Sequence, residues 1–152
     1  MRRLAVGLLI WVAMASSTAL ASTGNVVGVL PQADLRAAGG TITLTVGSDV
    51  QIGQTVATGP SGQVELLFSD GTQLVVGPSS SLLVEDYLFR TDVGTGKLTA
   101  DMLGGTFRFI TGSMPKSSSN LSTPSGTIGI RDTKIEIYVN AAGNSLVTPL
   151  EG

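Results

Sequence analysis

The side chains able to do acid–base or nucleophilic chemistry are few, and the missing types decide more than those present. The 152-residue chain contains no histidine and no cysteine. That removes the usual general base, the Ser-His and Cys-His nucleophile pairs and most transition-metal sites together. Glu85 and Asp86 are the nearest thing to a carboxylate pair for a carbohydrate-active enzyme. Neighbours on a strand point to opposite faces, however, whereas a working acid and base converge across one cleft. Asp70 stands before Gly71 in a turn string, and Asp92 and Asp101 read as isolated acids on solvent faces. No Asp-x-Asp-x-Asp-Gly run offers a calcium loop. The expectation is a non-enzymatic chain with no cofactor and no metal.

Three cations remain as candidate binding residues. Arg108 alternates with Phe107 and Phe109 and so belongs on the face opposite them, and Arg131 follows the apolar Ile128-Gly129-Ile130. Each guanidinium caps strand carbonyls or pairs with a nearby acid such as Asp70 or Asp132, or else docks an acidic or carboxylate-bearing partner. Lys116 sits in Ser113 to Asn120, which has one proline and four serines and reads as a polar surface connection. With 9 Lys and Arg against 11 Asp and Glu, and the cations scattered, nucleic acid is not an expected partner.

The elements that must position these residues are strands. Ile42, Leu44 and Val46 alternate with threonines, as do Val64, Leu66 and Phe68 with Glu65 and Leu67, then Leu74 with Val76. Asp70-Gly71 between two such runs predicts a hairpin with a two-residue type I′ turn, both central residues at positive φ. Leu82 to Phe89 and Leu98 to Leu103 read as further strands, and Gly104-Gly105 allows a bend into Thr106 to Ile110. Ile128 and Ile130, then Ile135, Ile137 and Val139, extend the pattern to a turn near Gly143-Asn144. The phenylalanines fit a core better than a stacking platform, with Tyr87 part-exposed. Only Gln32 to Ala38 suggests a helix, and a short one. The result is an all-β domain of many short strands.

Arg2 and Arg3 precede an apolar run from Leu4 to Ala15, and Ala19-Leu20-Ala21 offers a small-residue cleavage site before Ser22. This is a secretory signal pattern, too short for a bilayer's roughly 20 apolar residues. The expected arrangement is a signal peptide over 1–21 and one domain over 22–152, periplasmic or secreted, without a membrane span in the mature chain.

Two strings carry a family resemblance. LGGTFRFITG, from Leu103 to Gly112, and TPSGTIGIRDT, from Thr123 to Thr133, resemble the signature of FecR-type domains, and Ile42 to Tyr87 is similar to that family's pattern of an Asp-Gly-Thr hairpin and a Gly-Pro-x-Ser turn. The motif positions are Asp70, Gly71, Gly104, Gly105, Phe107, Phe109, Thr123, Pro124, Thr127, Gly129 and Thr133. The resemblance implies a small β-roll, solenoid-like stack or sandwich acting in the envelope by binding an envelope protein or small ligand, in sensing or signalling. Relatives commonly continue past the final strand, which suggests an open edge able to pair copies into a homo-oligomer or adhesion module. Asp132 replaces a family glycine; were that position at positive φ, aspartate would cost about 1 kcal/mol.

Overall fold

The computed structural model describes residues 24–90 and 94–151, so the expected signal segment lies outside it. The chain is all-β. Its strands run in the order β1 (Gly24–Leu30), β2 (Ala33–Ala37), β3 (Gly40–Thr43), β4 (Asp49–Val50), β5 (Thr55–Thr58), β6 (Gln63–Phe68) and β7 (Gln73–Val76). They continue with β8 (Ser81–Arg90), β9 (Thr95–Ile110), β10 (Ser119–Thr123), β11 (Gly126–Gly129), β12 (Lys134–Val139) and β13 (Ser145–Glu151). A 3₁₀ turn at Lys116–Ser118 is the helical element among the described residues.

All of these strands join one curled 13-stranded sheet that folds along β9. The C-terminal half of β9 belongs to a wing ordered β4-β1-β6-β7-β9-β12-β13, and its N-terminal half to a wing ordered β3-β2-β5-β8-β9-β10-β11. Pairing is antiparallel except between β9 and β10. Both wings feed one buried cluster, and the Phe68 and Tyr87 rings meet across it with centroids 5.0 Å apart. At one end the chain steps between wings through Leu44 to Ser48, held by Leu44 N–H to Ala33 C=O (2.8 Å) and Gly47 N–H to Val26 C=O (2.8 Å).

The bend in β9 changes which residues face inward. Leu98, Ala100 and Met102 are buried before it, Phe107 and Phe109 after it. Even positions point inward, then odd ones. Because strand side chains alternate with period two, an unbroken strand would turn both phenylalanines to solvent, each forfeiting roughly 1.5–3 kcal/mol of burial. Gly104-Gly105 supplies the shift: Gly105 has φ +106, and a Cβ there would fall on the Ser80 side chain. The turn Gly77 to Ser80 fits against this point, with Gly77 N–H to Thr106 C=O at 2.8 Å and Thr106 N–H to Ser80 Oγ at 2.9 Å. A matching irregularity in β8 between Val84 and Asp86 shifts inward burial from Leu82 and Val84 to Tyr87 and Phe89.

Four sequence expectations change. The β6–β7 hairpin forms, but Gly71 N–H donates to Phe68 C=O (2.9 Å) and Phe68 N–H to Thr72 C=O (2.9 Å), with Gly71 at φ +86 and Asp70 not at positive φ. This is a three-residue loop, a type I turn with a following left-handed glycine, rather than type I′. The expected helix over Gln32 to Ala38 is instead strand β2 (Ala33–Ala37) and its flanks, since pairing with β3 and β5 buries Ala33 and Leu35 on alternate positions and overrides local helix preference. Of Ile42, Leu44 and Val46 only Leu44 is buried, because β3 is an edge and the chain leaves it at Thr43. Ser113 to Asn120 is more than a polar surface connection, with Met114 and Ser119 buried and Ser119 already paired in β10.

Gly105→Ala is expected to cost about 3 kcal/mol or more, from left-handed strain plus displacement of Ser80. Gly104→Ala, whose Cβ meets nothing within 4 Å, should stay within about 1 kcal/mol of the parent. Urea unfolding of the two variants side by side tests this; equal midpoints would show that the bend does not depend on Gly105.

Candidate functional site

The most convergent polar cluster is built on Asp70. Its residue is 5 % exposed. Oδ1 accepts from Thr72 N–H at 3.2 Å and Tyr87 O–H at 3.1 Å, while Oδ2 accepts from the Thr72 hydroxyl at 2.6 Å and Met114 N–H at 3.4 Å. The backbone joins in, with Asp70 N–H donating to Tyr87 Oη (3.1 Å) and Asp70 C=O accepting from Ser113 N–H (2.8 Å) and Ser113 Oγ (2.9 Å). Burial raises the Tyr87 phenol above its ordinary 10.0, so it stays protonated and can donate. Both carboxylate oxygens are engaged by donors of the chain itself. Asp70 is thus more than a turn residue: it clamps the β6–β7 hairpin, β8 and the segment after β9 together.

Several other motif residues also serve the fold. Gly112 is required because a Cβ would overlap the backbone of Asp70 and Thr72. Phe107 and Phe109 lie in the core, and the backbone of Thr133 accepts from Thr111 N–H at 2.9 Å. Thr123 ends β10, where its hydroxyl and that of Ser125 each approach Ser145 Oγ of β13 at 2.7 Å, tying the β10–β11 hairpin to the β12–β13 hairpin. Pro124, Thr127 and Gly129 are exposed. Asp132 is not at positive φ, so the anticipated left-handed cost does not arise.

The three candidate cations divide two ways. Arg108 lies on the outer face as expected, but its partner is Glu136 directly across the β9–β12 ladder, Nη2 to Oε2 3.2 Å, not Asp70 or Asp132. Such exposed pairs contribute about 0.2–1 kcal/mol. Cross-strand neighbours far apart in sequence left no spacing signal for Glu136. Lys116 and Arg131 come together: Lys116 Nζ donates to the Arg131 carbonyl at 3.0 Å. The exposed Arg131 guanidinium has no hydrogen-bond or ion-pair partner among the described residues.

Glu85 and Asp86 break the alternation rule applied to them. The irregularity in β8 leaves both on the outer face, beside Lys97 and Thr99, and Asp86 pairs with Lys97 at 3.1 Å. Asp101 is not isolated; hydrogen bonding and repulsion from it hold the Glu85 carboxyl above its ordinary 4.5. Asp92 lies outside the described residues. No group of three or more acids is arranged to hold a metal ion among the described residues, and no helix there is long and apolar enough to cross a membrane. A shallow cleft of about 510 Å³ lies over the β9 bend, walled by Pro78, Leu103, Pro124, Tyr138 and Asn140, with no charged side chain lining it.

Because its folded-state value is raised, Glu85 favours the fold while protonated and opposes it as pH climbs past the ordinary 4.5. Glu85→Gln should therefore raise the urea midpoint near neutral pH and change it little well below pH 4.5, where both states are protonated. Tyr87→Phe should cost about 1–2 kcal/mol, and Asp70→Ala, which strands the Thr72 and Met114 donors, about 3–5 kcal/mol. Asp70→Ala at parental stability would remove the clamp.

A family model described as FecR protein matches residues 54–152. Searches of curated proteins and of solved structures find no match. The matched span opens just before β5 and contains the Asp70 clamp, the Gly77 to Ser80 turn, the β9 bend and the β10–β11 hairpin. FecR proteins form a regulatory, signalling family. With well over half of its length inside that match, the chain belongs to the FecR protein family.

Proposed function

We propose that this chain is a non-enzymatic, exported domain that works by protein or ligand contact in the bacterial envelope, in sensing or signalling. The observation that carries the reading is the exposed Arg131 guanidinium, unpartnered among the described residues, on a residue whose carbonyl accepts from the Lys116 ammonium. Asp70 and Arg108, by contrast, are engaged within the chain: Asp70 with Thr72, Tyr87 and Met114, and Arg108 with Glu136. An exposed cation that contributes nothing to the fold is available to a carboxylate-bearing partner. The apolar leader at the N-terminus supports export, and the family supports regulation rather than turnover.

A second reading, self-association or adhesion through an edge strand, rests on β13. Among the described residues that strand pairs only with β12, and it leaves Leu146, Val147 and Leu150 exposed. One residue opposes it. Asn140 N–H donates to Asn144 C=O at 3.0 Å, and the antiparallel alternation counted from there gives Pro149, opposite Ile135, the position whose N–H would point outward. Proline has none, which blunts the edge.

Arg131→Glu should leave stability within about 0.5 kcal/mol of the parent, as exposed substitutions away from contacts do. In-cell cross-linking of the tagged full chain should lose its envelope partner in the same variant. Partner recovery unchanged by charge reversal at both Arg131 and Lys116 would remove the basic corner from the reading. Sedimentation of the purified chain as a monomer at high concentration would count against self-association.

A further inference from the structure

We propose that the outer edge of β11 is a strand-addition site for an extended, carboxylate-bearing segment of another protein, with the carboxylate lying against Arg131 and Lys116. This rests on the binding role proposed above and gives it a place and a partner chemistry. β11 pairs with β10 alone, so its other edge carries no strand among the described residues. The two-residue turn Pro124-Ser125 makes Thr123 and Gly126 the closing pair, and alternation then leaves the N–H and C=O of Thr127 and Gly129 facing outward.

Gly129 is the second observation. Its φ is not positive, and a Cβ built on it meets nothing within 4 Å. Neither the backbone conformation nor the packing of this chain calls for glycine there. Gly129 closes β11 with no register shift in its pairing; of the uses a strand glycine serves, a bulge, a bend or the close approach of a ligand or another backbone, the last is the one left open there. By contrast, Gly126 in the same strand is accounted for by its φ of +149.

The competing edges are poorer. β4 is two residues long, and β13 carries Pro149 at an outward position. β3 lies outside the span shared with the family; its Gly40 is explained by φ +124, and the nearby Arg36 has Asp34 two residues away on the same face. At β11 the cations gather at one end. Lys116 holds the Arg131 carbonyl, Arg131 itself is exposed, and the adjacent Asp132 pairs with neither among the described residues. Backbone pairing would supply affinity along Thr127 to Gly129, and the cations would set the direction of the incoming strand by fixing its acidic end.

The test places a photo-cross-linking residue in the full chain, in its own cells, at Thr127 on this edge, at Thr148 on β13 and at Glu136 on the outer face, then sequences the peptides captured. The expected result is capture from Thr127 of one segment of a different protein, with Asp, Glu or a chain terminus within a few residues. Arg131→Glu should lower that capture at least about fivefold, and a synthetic copy N-methylated at alternate amides should bind the purified chain at least about tenfold more weakly than the unmodified copy. A partner captured only from Thr148 or Glu136 would leave the binding role standing and overturn the β11 site. Capture of this chain's own peptides from Thr127, or of a segment without a carboxylate, would overturn it as well. Capture from no position would remove both the site and the binding role.

Discussion

The structure depends on the contact between Ser80 and the bend at Gly105. A single strand, β9, has to serve both wings of the sheet, and it can do so only if its inward face changes parity partway along. Ser80 makes that change specific. Its hydroxyl donates to Pro78 C=O (2.9 Å) and accepts from Thr106 N–H (2.9 Å), so one side chain both holds its own turn and closes the backbone of the bend. Any side chain at Gly105 would occupy the space that Ser80 uses. The Gly-Pro-x-Ser and Gly-Gly-Thr strings, distant in sequence, are therefore two halves of one joint.

The Asp70 cluster performs the corresponding task at the far end of the same strand. β9 ends at Ile110, and the chain must then reverse to reach β10 alongside the N-terminal half it has just left. Gly112, Ser113 and Met114 are held during that reversal by hydrogen bonds to Thr72 and Asp70. Met114 can then enter the core while its backbone stays satisfied. Fixing the bend and the reversal sets the placement of β10, β11 and the corner where Lys116 meets Arg131. The rigid interior positions the exposed charge without sharing residues with it.

Alternation made most of the strands legible, because burial on one face imposes a period of two wherever a strand has a packed side and a wet side. It failed where that condition fails. Ile42 lies on an edge with nothing over it, and Glu85 and Asp86 straddle an irregularity that puts neighbours on one face. The Gly104-Gly105 bend could be read from the glycines, but the sharing of β9 between two wings could not, since it depends on strands that pair across long separations. Asp70 was recognised only as a turn residue for the same reason: Tyr87 and Met114 meet it through the fold, not through spacing. Arg108 was placed on the correct face with the wrong partner, and Arg131 proved to have its carbonyl capped rather than to cap another.

What the motif residues do internally bears on where function can reside. Asp70, Ser80, Gly105 and Gly112 are each required by contacts within the chain, and altering one would change the shape before it changed any recognition. A domain of this kind gains specificity from its margins, where backbone groups and charges remain unmatched and substitution is cheap for the fold. The margins here are unequal. Pro149 interrupts one edge, β4 is short, and β11 combines an uninterrupted backbone with two neighbouring cations and a glycine that the interior does not require. The extended acidic strand proposed for this edge would satisfy all three features at once, which neither a small neutral ligand nor a flat protein surface would do.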